Sequence, residues 1–237
     1  IINQAIQFHL KGNIPEATKY YQYCINQGFK DHRVFSNYGV ILKNLGKLQE
    51  AEILLRKAIE INPDYAEAHY NLGIILKDIG KLKEAEMSYR KAIELNPDCA
   101  DFHLNLGSIF IELGKLEEAE LLTRKAIELN PDSPDCHLNL GNILKGLGKF
   151  VHAIDQYKQS LELNNQFSLA KASLIATKGT ICDWSDERTH NIWLKSLGIK
   201  GKSTSPGELF SLEDNPLKHL ERSKKFYQEK YSRPRKY

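Results

Sequence analysis

The chain has 237 residues, 41% of them hydrophobic and 27% charged, and 33 Lys/Arg against 30 Asp/Glu leave a net charge of +3. No apolar run reaches the roughly 18 residues that a membrane-spanning helix needs, so a role inside a membrane is not expected. Residues 1–199 hold 23 basic and 25 acidic residues while residues 200–237 hold ten and five, so most of the chain lacks the surface of a polycationic nucleic-acid binder. Cys24, Cys99, Cys136 and Cys182 form no CxxC pair, which fits a reducing, cytoplasmic setting better than a disulfide framework.

From Ile1 to Phe167 one 34-residue unit recurs. The first copy is entered at its fourth position and covers residues 1–31, so the chain is expected to be an excerpt that opens inside a helix. The other copies span 32–65, 66–99, 100–133 and 134–167. Each unit reads as two helices. In the third, the first helix is expected over about Glu67–Ile79 and ends at Gly80, a residue suited to the left-handed turn after a helix. The second runs over about Leu82–Leu95 and ends at Asn96-Pro97, since proline cannot continue a helix.

Small residues recur where helices must approach closely. The eighth position holds Ala5, Gly39, Gly73, Gly107 and Gly141. The twentieth holds Ala17, Ala51, Ala85, Ala119 and Ala153, and the twenty-seventh Cys24, Ala58, Ala92, Ala126 and Ser160. Large apolar residues such as Leu72, Leu76, Tyr89 and Ile93 fill complementary offsets, giving each helix an apolar stripe of helical period. One unit cannot bury both stripes alone, so units must stack. This pattern resembles the tetratricopeptide repeat (TPR). The resemblance implies an all-α, right-handed TPR superhelix of antiparallel helix pairs whose first helices line a concave face.

The sixth position is always asparagine: Asn3, Asn37, Asn71, Asn105 and Asn139. Inside a helix asparagine costs about 0.5 kcal/mol relative to alanine, so its recurrence needs a reason. A carboxamide both donates and accepts hydrogen bonds, and a row of them down a groove can hold an extended peptide backbone without reading its side chains. The other reading is that each amide bonds a neighbouring repeat and serves packing alone. The candidate groove also takes in Ile74, Asp78 and Glu112, at positions nine and thirteen. A clamp for a C-terminal carboxylate would need basic residues beside the asparagines, but position two supplies Arg33 and then Glu67, Asp101 and Asp135.

His69, His103 and His137 recur at the fourth position on three different helix pairs, so they form no metal triad and are expected to pack against the adjacent helix. Neither a metal nor a cofactor is expected. The pairs Arg56-Lys57, Arg90-Lys91 and Arg124-Lys125, with Glu60, Glu94 and Glu128 one turn on, read as a solvated, ion-paired surface.

The period breaks after Phe167. Ser168 opens a half-repeat whose sixth position is Ser173, and residues 168–184 form a junction that ends in Cys182-Asp183-Trp184. Residues 185–237 read as a helical transition segment. A helix is expected over about Glu187–Leu197, then a Gly/Ser/Pro-rich loop over 198–207, then a helix opening at Asn215-Pro216 with Leu217, Leu220, Tyr227 and Tyr231 on its apolar face. Trp184 and Trp193 suit a lid over the last repeat. The basic end, including Lys218, Arg222 and Lys225, suits a solvated helix face.

An asparagine-lined TPR array that runs into Cys182-Asp183-Trp184-Ser185-Asp186 resembles the O-linked N-acetylglucosamine transferase, or SPINDLY-like, glycosyltransferase family. The resemblance implies that a parent protein would transfer sugar from a nucleotide sugar to Ser/Thr hydroxyls, with the repeats feeding acceptor chains to catalytic lobes. Those lobes and a phosphate-cradling glycine loop are absent up to Tyr237, and residues 203–216 carry no histidine, so no catalytic residue is assigned and the chain alone is expected to be inactive. The expected partners are proteins or unstructured peptide segments. The alternative is a free-standing TPR adaptor with no associated enzyme.

Overall fold

The computed structural model describes residues 1–181 and residue 225. The described residues form eleven α-helices and no strand: α1 (Ile2–Leu10), α2 (Ile14–Asn26), α3 (His32–Asn44), α4 (Leu48–Ile61), α5 (Ala66–Asp78), α6 (Leu82–Leu95), α7 (Ala100–Glu112), α8 (Leu116–Leu129), α9 (Pro134–Gly146), α10 (Phe150–Leu163) and α11 (Ser168–Thr180). Two compact units are present, Ile1–Lys115 with α1–α7 and a second beginning at Leu116 with α8–α11. The Cys182-Asp183-Trp184 element, Trp193, the helices expected over 187–197 and from 215, and the basic end other than Lys225 lie outside the described residues.

The helix ends follow the sequence chemistry. Gly80 adopts φ +80°, and Lys81 N–H reaches back to Leu76 C=O at 2.8 Å, closing α5 with a left-handed turn. The second helices stop at an extended asparagine: Asn62 has φ −136° and ψ 93°, as expected before proline, and its side chain accepts from Asp64 N–H at 3.2 Å.

Within the first unit each pair packs through its small residues. Ala5, Ala17, Cys24, Ala51, Ala58, Ala85 and Ala92 are wholly buried. Tyr89 of α6 passes beneath α5 so closely that a Cβ on Gly73 would lie 2.7 Å from its Cε1. Successive pairs join through larger side chains, as where Phe102 of α7 packs with Ala66 and Ala92, its ring 4.7 Å from that of Tyr70. The second unit repeats this around Leu140, Leu144, Tyr157, Ala170 and Leu174.

First helices also touch each other in succession, α3 with α5 and α5 with α7. Second helices α4 and α6 are instead bridged by long ion pairs: Arg56 to Glu84 at 2.8 Å and Lys81 to Glu52 at 3.1 Å. The arginines do not share the later glutamates with the lysines. Arg56, Arg90 and Arg124 turn back to Glu52, Glu86 and Glu120, the favoured Glu-before-Arg order, while Lys57, Lys91 and Lys125 take Glu60, Glu94 and Glu128.

In the second unit, Lys149 and Arg124 both bond Glu120, whose side chain is only 14% exposed. The Lys149 hydrogen bond outweighs burial and, with Arg124, holds this carboxyl below its ordinary value of 4.5. Glu120 therefore stabilises the fold at neutral pH, and that contribution is lost as pH falls below about 4.5. Glu120→Gln is expected to reduce the drop in melting temperature between neutral and acid pH; an unchanged acid profile would remove Glu120 from the account.

Candidate peptide-binding surface

The face carried by α3, α5 and α7 brings three of the five predicted asparagines onto touching helices. Asn37, Asn71 and Asn105 are each half-buried, neither sealed into the core nor free in solvent. Asn3 is exposed on α1, and Asn139 is half-buried on α9 of the second unit. Ile74 is half-buried on α5, while Asp78 and Glu112 are exposed at the C-terminal ends of α5 and α7. Arg33 is taken up by its helix cap, donating to Asp31 at 3.0 and 2.7 Å.

The best-defined stretch lies between α5 and α7. Asn105 Nδ2 donates to the Tyr70 hydroxyl at 3.1 Å and to Asp101 C=O at 2.9 Å. This amide nitrogen thus bonds the neighbouring repeat, and its oxygen makes no hydrogen bond among the described residues. Lys77 donates to Ser108 Oγ at 2.9 Å and pairs with Glu112 at 3.2 Å, and Ser108 in turn donates to Asn105 C=O at 2.7 Å. Ser108 occupies groove position nine of its repeat, whereas Tyr70 and Lys77 were not named as groove residues by sequence reasoning. Tyr70 and Lys77 flank that position at the i, i+4, i+7 spacing of one helix face, which is the signal that could have found them.

The buried tyrosines at position 24 pack, each within its own unit, against the first helices. In the second unit Tyr157 donates its hydroxyl to Asn142 Oδ1 at 2.9 Å, and Asn142 occupies position nine. In the third repeat position nine is Ile74, and the Tyr89 hydroxyl is buried without a hydrogen-bond partner among the described residues. Burial pushes the Tyr89 phenol up, and Tyr70, Asp78 and Glu112 nearby push it further. The Tyr21 hydroxyl is likewise buried without a hydrogen bond of good geometry, with the Asn37 side chain beside it. Tyr89→Phe is therefore expected to leave stability unchanged or raise it by up to about 1 kcal/mol, whereas Tyr157→Phe costs about 1 kcal/mol. Denaturant midpoints of the two variants check the difference, and equal losses would contradict it.

The histidines serve the turns. Nε2 of His69, His103 and His137 lies 2.8, 2.7 and 3.2 Å from the carbonyl oxygens of Pro63, Pro97 and Pro131. A carbonyl only accepts, so Nε2 carries the proton in His69 and His103, and each of the three imidazoles reaches the turn that precedes its own helix. The sequence suggested packing against the adjacent helix; to this the structure adds the backbone contact, and His137 Nδ1 also lies 2.9 Å from Gln156 Oε1 on α10. Among the described residues no His/Cys/Asp/Glu cluster is placed to hold a metal, and no helix is long and apolar enough to cross a membrane.

A stack of antiparallel helix pairs with one face of first helices defines a helical-repeat protein. Models of the tetratricopeptide repeat match residues 66–99, 39–80, 107–148, 88–120 and 134–167, which together take in more than half of the chain. The chain belongs to the tetratricopeptide-repeat family. No curated protein matches it. Among solved structures it is similar to PilF of Pseudomonas aeruginosa, at TM-score 0.73 and 19% identity over 97% of this chain and 96% of that one. It is also similar to YrrB, described as a TPR protein with an unusual peptide-binding site, at TM-score 0.62 and 19% identity over 88% and 100%. MamA of Desulfovibrio magneticus RS-1 gives TM-score 0.63 and 23% identity over 70% and 93%. At such identities the likeness is one of fold.

Proposed function

We propose that the chain is a protein-interaction module that holds extended peptide segments against the first-helix face, with Asn37, Asn71 and Asn105 bonding the peptide backbone. The observation that carries this is the state of the three amides: half-buried, on touching helices, with the Asn105 nitrogen fixed and its oxygen left to accept. A peptide N–H is the natural donor to that oxygen. Asn139, and Asn3 at the exposed start of α1, extend the same chemistry within their own units. The neighbour YrrB, with a peptide-binding site on the same kind of fold, agrees with this reading. Replacing Asn71 and Asn105 with alanine and following capture of an extended peptide tests it.

The narrower proposal, that the module presents acceptor chains to a protein O-glycosyltransferase domain, rests on the Cys182-Asp183-Trp184 element following the last repeat. Fusing the chain to an active catalytic region of that family should change which proteins are glycosylated; unchanged acceptor choice would leave the adaptor reading.

A further inference from the structure

The turns that lead into the third, fourth and fifth repeats share one device, an Asn-Pro-Asp sequence whose proline carbonyl is held by the histidine at position four. The turn between the first and second repeats lacks both parts. Gly28-Phe29-Lys30 stands in place of Asn-Pro-Asp, and Phe35 stands in place of the histidine. The turn is closed by backbone alone, with Gly28 at φ +75° and Phe29 N–H bonded to Cys24 C=O at 3.0 Å.

Beside this unlatched turn lies a pocket of about 450 Å³, and the latched turn of the next repeat has a neighbouring pocket too, lined by Ile59, His69 and Lys91. Ile25, Phe29, Phe35 and Ile61 supply apolar walls, and Lys30, Lys57 and Glu60 supply its charges. Phe29 is 38% exposed at the edge of this pocket. Lys57 pairs with Glu60 at 2.8 Å on its own helix, whereas Lys30 makes no ion pair among the described residues. The pocket thus joins an apolar floor to one uncompensated positive charge, and none of its residues belongs to the asparagine row.

We propose that this pocket is a second peptide site, which takes one bulky aliphatic or aromatic side chain of a partner protein and sets an adjacent carboxylate of that partner on Lys30. Charge selects the partner: a flanking Asp or Glu neutralises Lys30, while a flanking Lys or Arg meets like charge at the rim. The apolar side chain covers Phe29 and the part of Phe35 that is still exposed.

The test uses a fluorescein-labelled peptide, Gly-Ser-Glu-Phe-Leu-Asp-Gly-Ser, titrated with the whole chain and read by fluorescence anisotropy at low salt. Saturable binding below about 1 mM is expected. Exchanging Phe-Leu for Ser-Ser, or Glu and Asp for Lys, should weaken it at least tenfold. Lys30→Glu should cost a similar factor and restore binding of the lysine peptide, and Phe35→His should weaken binding by replacing an apolar wall with a smaller, polar ring. Backbone amide shifts on adding the peptide should cluster at Gly28, Lys30 and Ile61. No saturable binding below about 1 mM, indifference to Lys30→Glu, or shifts gathered at α5 and α7 would each overturn the proposal.

Discussion

Replacing Gly141 with alanine is expected to destabilise the second unit by about 1–3 kcal/mol, an effect of overpacking. A Cβ there would meet Cε1, Cδ1 and Cζ of Tyr157, the last at 3.0 Å and the others closer. Tyr157 is wholly buried and cannot swing clear. Helix propensity alone predicts the opposite sign, because alanine improves on glycine by about 0.5–1 kcal/mol inside a helix. Two comparisons isolate the cause. At Gly39 the partner is Leu55, and a Cβ would sit 3.1 Å from its Cγ, so Gly39→Ala should cost much less. The first repeat already pairs Ala5 with Tyr21, both wholly buried, so the cost in the fifth repeat is that of moving α9 away from α10. Tyr157→Leu should therefore offset part of the loss in a double variant. If Gly141→Ala raised the melting temperature, close packing of the glycine on the tyrosine would not be what sets the helix spacing.

The second large effect is expected in binding. One hydrogen bond to a peptide backbone contributes about 1 kcal/mol, and Asn71, whose amide can both donate and accept, contributes somewhat more than Asn105, whose oxygen alone is left to accept. Asn71→Ala should then weaken peptide capture by about tenfold, Asn105→Ala by about fivefold, and the double variant by up to about fiftyfold. The stability consequences should differ between them. Asn71 makes no hydrogen bond among the described residues, and alanine is the better helix former, so Asn71→Ala should be neutral or slightly stabilising. Asn105→Ala removes the bond to Tyr70 across the repeats and should cost about 1 kcal/mol. Isothermal titration and thermal denaturation of the same variants separate the two quantities. Unchanged capture with lowered stability would assign the row to packing.

The helices were legible because their signals are local. Glu67–Ile79 and Leu82–Leu95 were expected from a glycine, a proline and an apolar period, and α5 and α6 run Ala66–Asp78 and Leu82–Leu95. What escaped the sequence involves atoms that letters do not specify. The histidine partner is a proline carbonyl, a backbone atom six residues upstream. Arg56 lies four residues from both Glu52 and Glu60, so its choice turns on the start of the next second helix, where Glu84 is 28 residues from Arg56 and Lys81 is 29 residues from Glu52. The asparagine row was visible as a repeated letter, but the different bonding of each amide was not. Asn105 is tied to Tyr70 because the fourth repeat has an aromatic residue at position five of the repeat before it. Tyr89 lacks the partner that Tyr157 has because one residue, Ile74 rather than asparagine, occupies position nine.

The most direct test of the central claim is to follow the side-chain NH₂ resonances of Asn37, Asn71 and Asn105 in a ¹⁵N-labelled sample while adding an extended peptide. If these amides hold the peptide backbone, all three pairs of signals shift together and saturate with one affinity, and they do so again when the peptide's side chains are shuffled. Side-chain amides that stay in place while backbone signals elsewhere move would contradict the account.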